Sequence, residues 1–194
     1  MDQTFITHCI QTNTPLVFLK YGDGEYECAS KYDQGQAVAK HTHANNCDHD
    51  TYTVRLSNAL KESFVYMVEN GQNYLFGKWG TTVVVNYWES LVPDKQVKWV
   101  MYHMILWYDM NPEVLNIYRA VKTSQLSKIF VCNDLLAKAQ MLLNIDHMVY
   151  VPKNSWFDTQ FDDVLQRIVN IIEATKAEGY VIMTSCGMSA KAAV

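Results

Sequence analysis

The sequence has no run of clustered lysine and arginine, and its formal net charge is −4. Phosphate-backbone binding needs such clusters, so nucleic acid is not expected as a main partner. It has no C-x-x-C pair. Its five cysteines, Cys9, Cys28, Cys47, Cys132 and Cys186, are scattered and odd in number. A disulfide framework is therefore not expected, and a reducing, cytoplasmic setting fits. The N-terminal "MDQTFITHCI" lacks a basic segment followed by an apolar one, so a signal peptide is not expected there. The longest apolar stretch, "WVMYHMILWY" (99–108), is about half the length of a membrane span. There is no internal repeat, linker, low-complexity segment, serine or cysteine nucleophile set, or G-x-x-x-x-G-K-[ST] loop. His103 and His147 lie within apolar runs and read as core residues.

What is present is a globular composition, 49% hydrophobic and 19% charged, in 194 residues. That is enough for one domain with a core of its own. Tryptophan and tyrosine are abundant, which suits ligand sites but suits cores better.

"PLVFLKY" (15–21) reads as a buried strand, followed by the turn "GDGE" (22–25) and a short helix through 26–31. Residues 33–50 read as a polar loop. Residues 51–69 read as a helix with Val54, Ala59, Leu60, Phe64 and Val68 near one face. "QNYLFGKWG" (72–80) suggests a short strand and turn. "TTVVVNYWESLV" (81–92) is open between strand and helix, and "DKQVKWVMYHMILWY" (94–108) suggests a buried helix. "NPEVLNIYRAVKTS" (111–124) opens like a helix, with Asn as cap and Pro in the first turn.

The last third alternates clearly. Strands are expected at 128–132, 147–152 and 179–187. Helices are expected at 133–144, capped by Asn133, from Asp158 to about Lys176, and from "MSAKAAV" onward. This β-α-β-α-β-α order implies an α/β fold with a parallel sheet covered by helices. In such sheets ligands sit at the carboxyl ends of the strands, where both "GDGE" and "SCGMSAK" (185–191) fall. The two are expected to share one crevice. The chain stops inside the last apparent helix. It reads as a single domain, 1–194, that is the N-terminal part of a longer protein.

Four motifs carry chemistry. Asp23 and Glu25 bracket Gly24, and Gly22 and Gly24 permit unusual backbone angles, so both carboxylates are expected to converge on one point. Hard cations such as Mg²⁺ and Mn²⁺ bind through one or two carboxylates with water or phosphate as other ligands. The plainer reading is a turn with solvated acids. "SCGMSAK" turns from strand into helix at Gly187, presenting free backbone N–H groups, with Ser189 and Lys191 as added phosphate contacts. His41, His43, Cys47 and His49 suit zinc chemically, but their spacing matches no usual zinc module, and a polar loop is the better reading. In "PKNSWFDTQFD" (152–162), Ser155 and Asp158 have capping-box form, and Asp158 is itself a candidate cap. Asn154 and Trp156 stand just past a strand end, where a sugar or base would be touched.

Taken together these residues resemble a known family. "LKYGDGEYE" resembles the R-[FY]-G-D-G-E signature of the glycosyltransferases with the GT-D fold, long filed as a domain of unknown function. The likeness continues in order through "DTYTVRLSNALKES", "LSKIFVCNDLLAKAQMLLN", "MVYVPKNSWFDTQFDDVLQRI" and "YVIMTSCGMSAKAAV", about residues 15–194. It is weakest over 70–110. The resemblance implies a Rossmann-like domain and a nucleotide-sugar donor, typically a UDP-sugar. It also implies a glycan acceptor (an oligosaccharide or a glycoprotein glycan) and a D-x-E motif serving Mn²⁺ or Mg²⁺. By position the acids are Asp23 and Glu25, in metal-binding and catalytic roles. Lys20, Gly22, Gly24, Asn154, Gly187, Ser189 and Lys191 are the donor-binding candidates. Two departures stand out: Lys20 replaces the family's arginine, losing the guanidinium fork, and the sequence ends before the closing strand that the resemblance leads one to expect, so that either the chain is truncated or other residues complete the sheet. The alternative reading is a non-catalytic nucleotide- or glycan-binding module of the same fold.

Overall fold

The computed structural model describes residues 3–33, 51–78, 81–102, 114–153 and 155–193. The chain divides into two compact units, one of Leu16–His103 with Gly187–Val194 and one of Met1–Pro15 with Met104–Cys186. Each holds a three-stranded parallel sheet flanked by helices, so the parallel α/β expectation holds, with the strands divided between two sheets.

In the first unit, β1 (Val17–Lys20), β2 (Tyr74–Lys78) and β3 (Trp99–Met101) lie in the order β1-β2-β3, with Lys20 beside Gly77 and Lys78 beside Met101. Parallel neighbours need crossovers. These are α2 (Asp23–Asp33) and α3 (Val54–Asn70) between β1 and β2, and α4 (Thr82–Ser90) between β2 and β3. The α3 helix starts where the Thr53 hydroxyl accepts the Leu56 N–H at 3.1 Å. Leu56, Leu60, Phe64, Met67 and Val68 form its buried stripe, whereas Val54, expected on that face, is 58% exposed. The core is aromatic: Tyr21, edge-on to Phe64, Phe76 and Trp88, has ring centroids 5.2, 5.2 and 4.6 Å away.

The middle of the chain settles two questions. Residues 82–90 are helical because Val84 and Trp88, one turn apart, are both buried, while Val83 faces out. The helix expected over 94–108 is corrected within 94–102: this stretch is turn and extended chain leading into β3. Parallel pairing beside β2 overrides the apolar run, and the Trp99 indole N–H donates to Glu89 Oε1 on α4 at 3.0 Å. His103 and residues 104–108 lie outside the described residues.

The second unit has α1 (Gln3–Thr12), α5 (Val114–Thr123), β4 (Ser127–Cys132), α6 (Ala139–Leu143), β5 (His147–Tyr150), α7 (Phe157–Thr175) and β6 (Tyr180–Ser185), its strands ordered β5-β4-β6. Central β4 is buried throughout, as a strand covered on both faces should be. The expected Asn-Pro opening of α5 lies outside the described residues. The single helix expected over 133–144 is instead a 3-10 turn, Asp134–Leu136, followed by the short α6. Asn133 does cap its start, accepting the Leu135 N–H. Only Leu136, Ala139 and Leu143 pack on the sheet, and Leu135, Met141 and Leu142 are exposed, so little burial holds a continuous helix together. At α7 the N-cap position falls on Trp156, which makes no side-chain cap bond. Its indole N–H donates instead to the Cys186 carbonyl at 3.2 Å. Among the described residues no helix is long and apolar enough to cross a membrane.

Candidate functional site

The site grows from the end of β1. Tyr21 N–H still bonds the Gly77 carbonyl, and the ring behind it is fully buried. Its phenol donates to or accepts from Ser63 Oγ at 2.7 Å. Burial pushes the phenol well above its usual range; the Ser63 bond pulls the other way and the Glu25 charge adds to the rise. Gly22 follows, and its carbonyl accepts the Tyr26 N–H, which makes it the N-cap of α2.

Asp23, Gly24 and Glu25 are thus the first turn of a helix, not a loop. This corrects the expectation that both acids converge. On a helix, residues i and i+2 do not face each other. Glu25 turns inward and is 4% exposed, while Asp23 is half-buried and has no hydrogen bond or ion pair with the described residues. The cause is local. Glu25 Oε2 folds back to accept the Gly22 N–H at 2.9 Å, the carboxylate half of a capping box. Acids in a first turn also offset the positive end of the helix dipole.

Glu25 Oε1 meets Lys191 Nζ at 2.8 Å. Lys191 comes from the 3-10 turn Met188–Ala193, and its ammonium also donates to the Gly187 carbonyl at 3.0 Å. "GDGE" and "GMSAK", over 160 residues apart in sequence, do share one place, as expected from their positions at strand ends. Burial by itself raises the Glu25 pKa. The charges of Lys191 and then Lys20, with the hydrogen bonds, outweigh it and hold the carboxyl below the usual range.

Lys20 Nζ stands 4.9 Å over the Tyr102 ring, a cation–π contact at the carboxyl edge of the sheet. Gly22 lets it do so: a Cβ there would lie 2.8 Å from Lys20 Cε. Neither Gly22 nor Gly24 has a positive φ. That backbone demand falls on Gly187, at φ 72°. Ser189 is 1% exposed, and its hydroxyl has no hydrogen-bond partner among the described residues. Asn154 lies outside the described residues, as do His41, His43, Cys47 and His49.

Among the described residues no group of three His, Cys, Asp or Glu side chains could enclose a metal. The donor set still fits a hard cation held by one carboxylate and otherwise by water or phosphate. Asp23 is the free carboxylate, since both Glu25 oxygens are engaged. One surface groove, lined by Ile10, Asn13, Ala120, Thr123 and Leu126 among others, belongs to the other unit and has no ionisable side chain in its lining. Sequence reasoning missed Tyr102 and Ser63. The first sits in the stretch with no recognisable pattern, and the second is an ordinary helix serine until the fold brings Tyr21 to it.

No family model matches the chain, and no curated protein matches it. A solved structure described as a selenomethionine-substituted domain of unknown function 1792 is similar over the whole chain and 72% of its own length, with a TM-score of 0.60 and 11% identity. At that identity the likeness is one of fold.

Proposed function

We propose that the protein is a metal-dependent glycosyltransferase that takes a nucleotide-sugar, most simply a UDP-sugar, and transfers the sugar to a glycan acceptor. The observation that carries this reading is the 2.8 Å meeting of Lys191 with the "GDGE" turn at the carboxyl end of β1. Ligands of parallel α/β sheets bind at that end. Two ammonium groups, Lys20 and Lys191, gather there beside the N-terminus of α2, an arrangement that favours a diphosphate. Lys191 has three N–H donors and spends two, on Glu25 and Gly187, leaving one for phosphate. Asp23 is the residue to hold Mn²⁺ or Mg²⁺. When bound, such an ion stabilises the departing diphosphate. Glu25 is too strongly ion-paired to serve as general base, so that role toward the acceptor hydroxyl does not fall to it.

A second reading, a non-catalytic nucleotide-binding module, is favoured by the same engagement of Glu25, which leaves one acid of the pair free. The two separate experimentally. Calorimetric titration of UDP, with and without Mn²⁺, should show metal-enhanced binding to wild type that is lost in Asp23→Asn. Donor hydrolysis or transfer across a panel of UDP-sugars then supports the enzyme. Tight binding with no turnover of any of them supports the module. No binding of UDP under either condition rules out both for this nucleotide.

A further inference from the structure

The D-x-E pair invites the view that both acids ligate the cation. The geometry points to a different division of labour: we infer that Glu25 is a positioning residue that holds Lys191 for the phosphate, and that Asp23 alone among the pair faces the cation. The inference rests on the nucleotide-binding reading above and deepens it.

Three observations carry it. Helix geometry separates the two side chains, because they stand two residues apart in the first turn of α2. Both Glu25 oxygens are already used, one by the Gly22 N–H at 2.9 Å and one by Lys191 Nζ at 2.8 Å, in a side chain that is 4% exposed. A divalent ion at Glu25 would have to displace an ammonium and would then sit beside two lysines. And Lys191 is held from two sides, by Glu25 Oε1 and by the Gly187 carbonyl at 3.0 Å. An ammonium on a flexible stem loses much rotamer freedom when it binds. Glu25 removes that freedom in advance, so the remaining N–H is aimed before ligand arrives.

The test uses Asp23→Asn, Glu25→Gln, Lys191→Met, Lys191→Arg and the double variant Glu25→Gln/Lys191→Met. The double variant matters because a single change leaves a buried charge unpaired and can unfold the protein, whereas removing both leaves none. Three readouts are taken on folded protein: Mn²⁺ binding by electron paramagnetic resonance, UDP affinity without metal, and the thermal midpoint.

Mn²⁺ affinity should fall at least about tenfold in Asp23→Asn and stay within about threefold of wild type in Glu25→Gln/Lys191→Met. Metal-free UDP affinity should fall about tenfold in Lys191→Met, with the double variant no worse, and Lys191→Arg should recover most of it. Mn²⁺ binding lost equally in Asp23→Asn and the double variant overturns the inference, because Glu25 is then a ligand. So does an additive loss of UDP affinity, because Glu25 then acts other than through Lys191. If wild type binds neither Mn²⁺ nor UDP, the nucleotide reading itself fails. The thermal midpoints then judge the pair: a double-variant loss smaller than the sum of the singles supports the Glu25–Lys191 hold, and an additive loss removes it.

Discussion

At the scale of single residues, Glu25 is the most consequential side chain of the site. Removing one partner of a buried, hydrogen-bonded ion pair typically costs about 3–5 kcal/mol, so Glu25→Gln should lower unfolding stability in that range, measured by urea titration. The pair also sets an acid limit. The Glu25 carboxyl has a lower pKa folded than unfolded, so its contribution is present above the unfolded value, near pH 4, and disappears as pH falls through the folded one. Wild-type stability should therefore drop more steeply below about pH 4 than that of Glu25→Gln/Lys191→Met, and equal slopes would remove the role assigned to this carboxylate. Gly187 makes a separate demand. At φ 72° a side chain is strained, so Gly187→Ala should cost about 1–2 kcal/mol although it removes no contact. Both motifs and the lysine in each were legible in the sequence, although the unusual backbone angle, expected at Gly22 and Gly24, falls instead at Gly187. The partners of Glu25 were not, because nothing in "GDGE" says that its glutamate will face a lysine from residue 191.

At the scale of elements, the regular pieces follow their signals where burial and local chemistry agree. In α3 a threonine cap, an apolar stripe at helical spacing and Gly71 at its end all concur. Thr53→Ala should cost about 1 kcal/mol in equilibrium unfolding, by loss of the bond to the Leu56 N–H. The signals mislead where they conflict. "DKQVKWVMY" has helix-like length and apolarity, yet its place is the edge of a sheet whose neighbour, β2, exists only once the chain has folded. "NDLLAKAQMLLN" has good helix formers and a cap, but its leucines point both ways, and only one side has anything to pack on. The "GDGE" stretch reads as a turn because it holds two glycines. It is a helix start because Glu25 satisfies the Gly22 N–H, and a capping glutamate outweighs the backbone entropy of a single glycine within the first turn.

At the scale of the whole molecule, charge decides what the site can recruit. The chain carries −4 overall, so on the proposed reading a polyphosphate would be repelled at long range and would have to be held locally by Lys20 and Lys191, whose charges both act on Glu25. Two consequences are measurable. Uridine should bind at least about tenfold more weakly than UDP, and UDP affinity should fall as salt rises through the range where the screening length drops from about 10 Å to about 3 Å. Salt-insensitive binding, or uridine binding as tightly as UDP, would mean that the base and not the phosphates anchors the ligand. The α/β class and the parallel pairing of strands were readable from alternating elements and from strands apolar enough to be covered on both faces. The division into two three-stranded sheets was not, because strand periodicity records which faces are buried and not which strands become neighbours.

The amino-acid sequence by itself determined what is local. That includes where most helices and strands begin, the α/β class, and the acids, lysines and glycines available. All of these depend on interactions within about one helical turn or one strand. The tertiary structure decided what each charged group does. It set Asp23 half-exposed and free, buried Glu25 against Lys191, and laid Lys20 over Tyr102. The physical reason is that a carboxylate's role depends on its solvation and its nearest charge, and here that charge arrives from the other end of the chain.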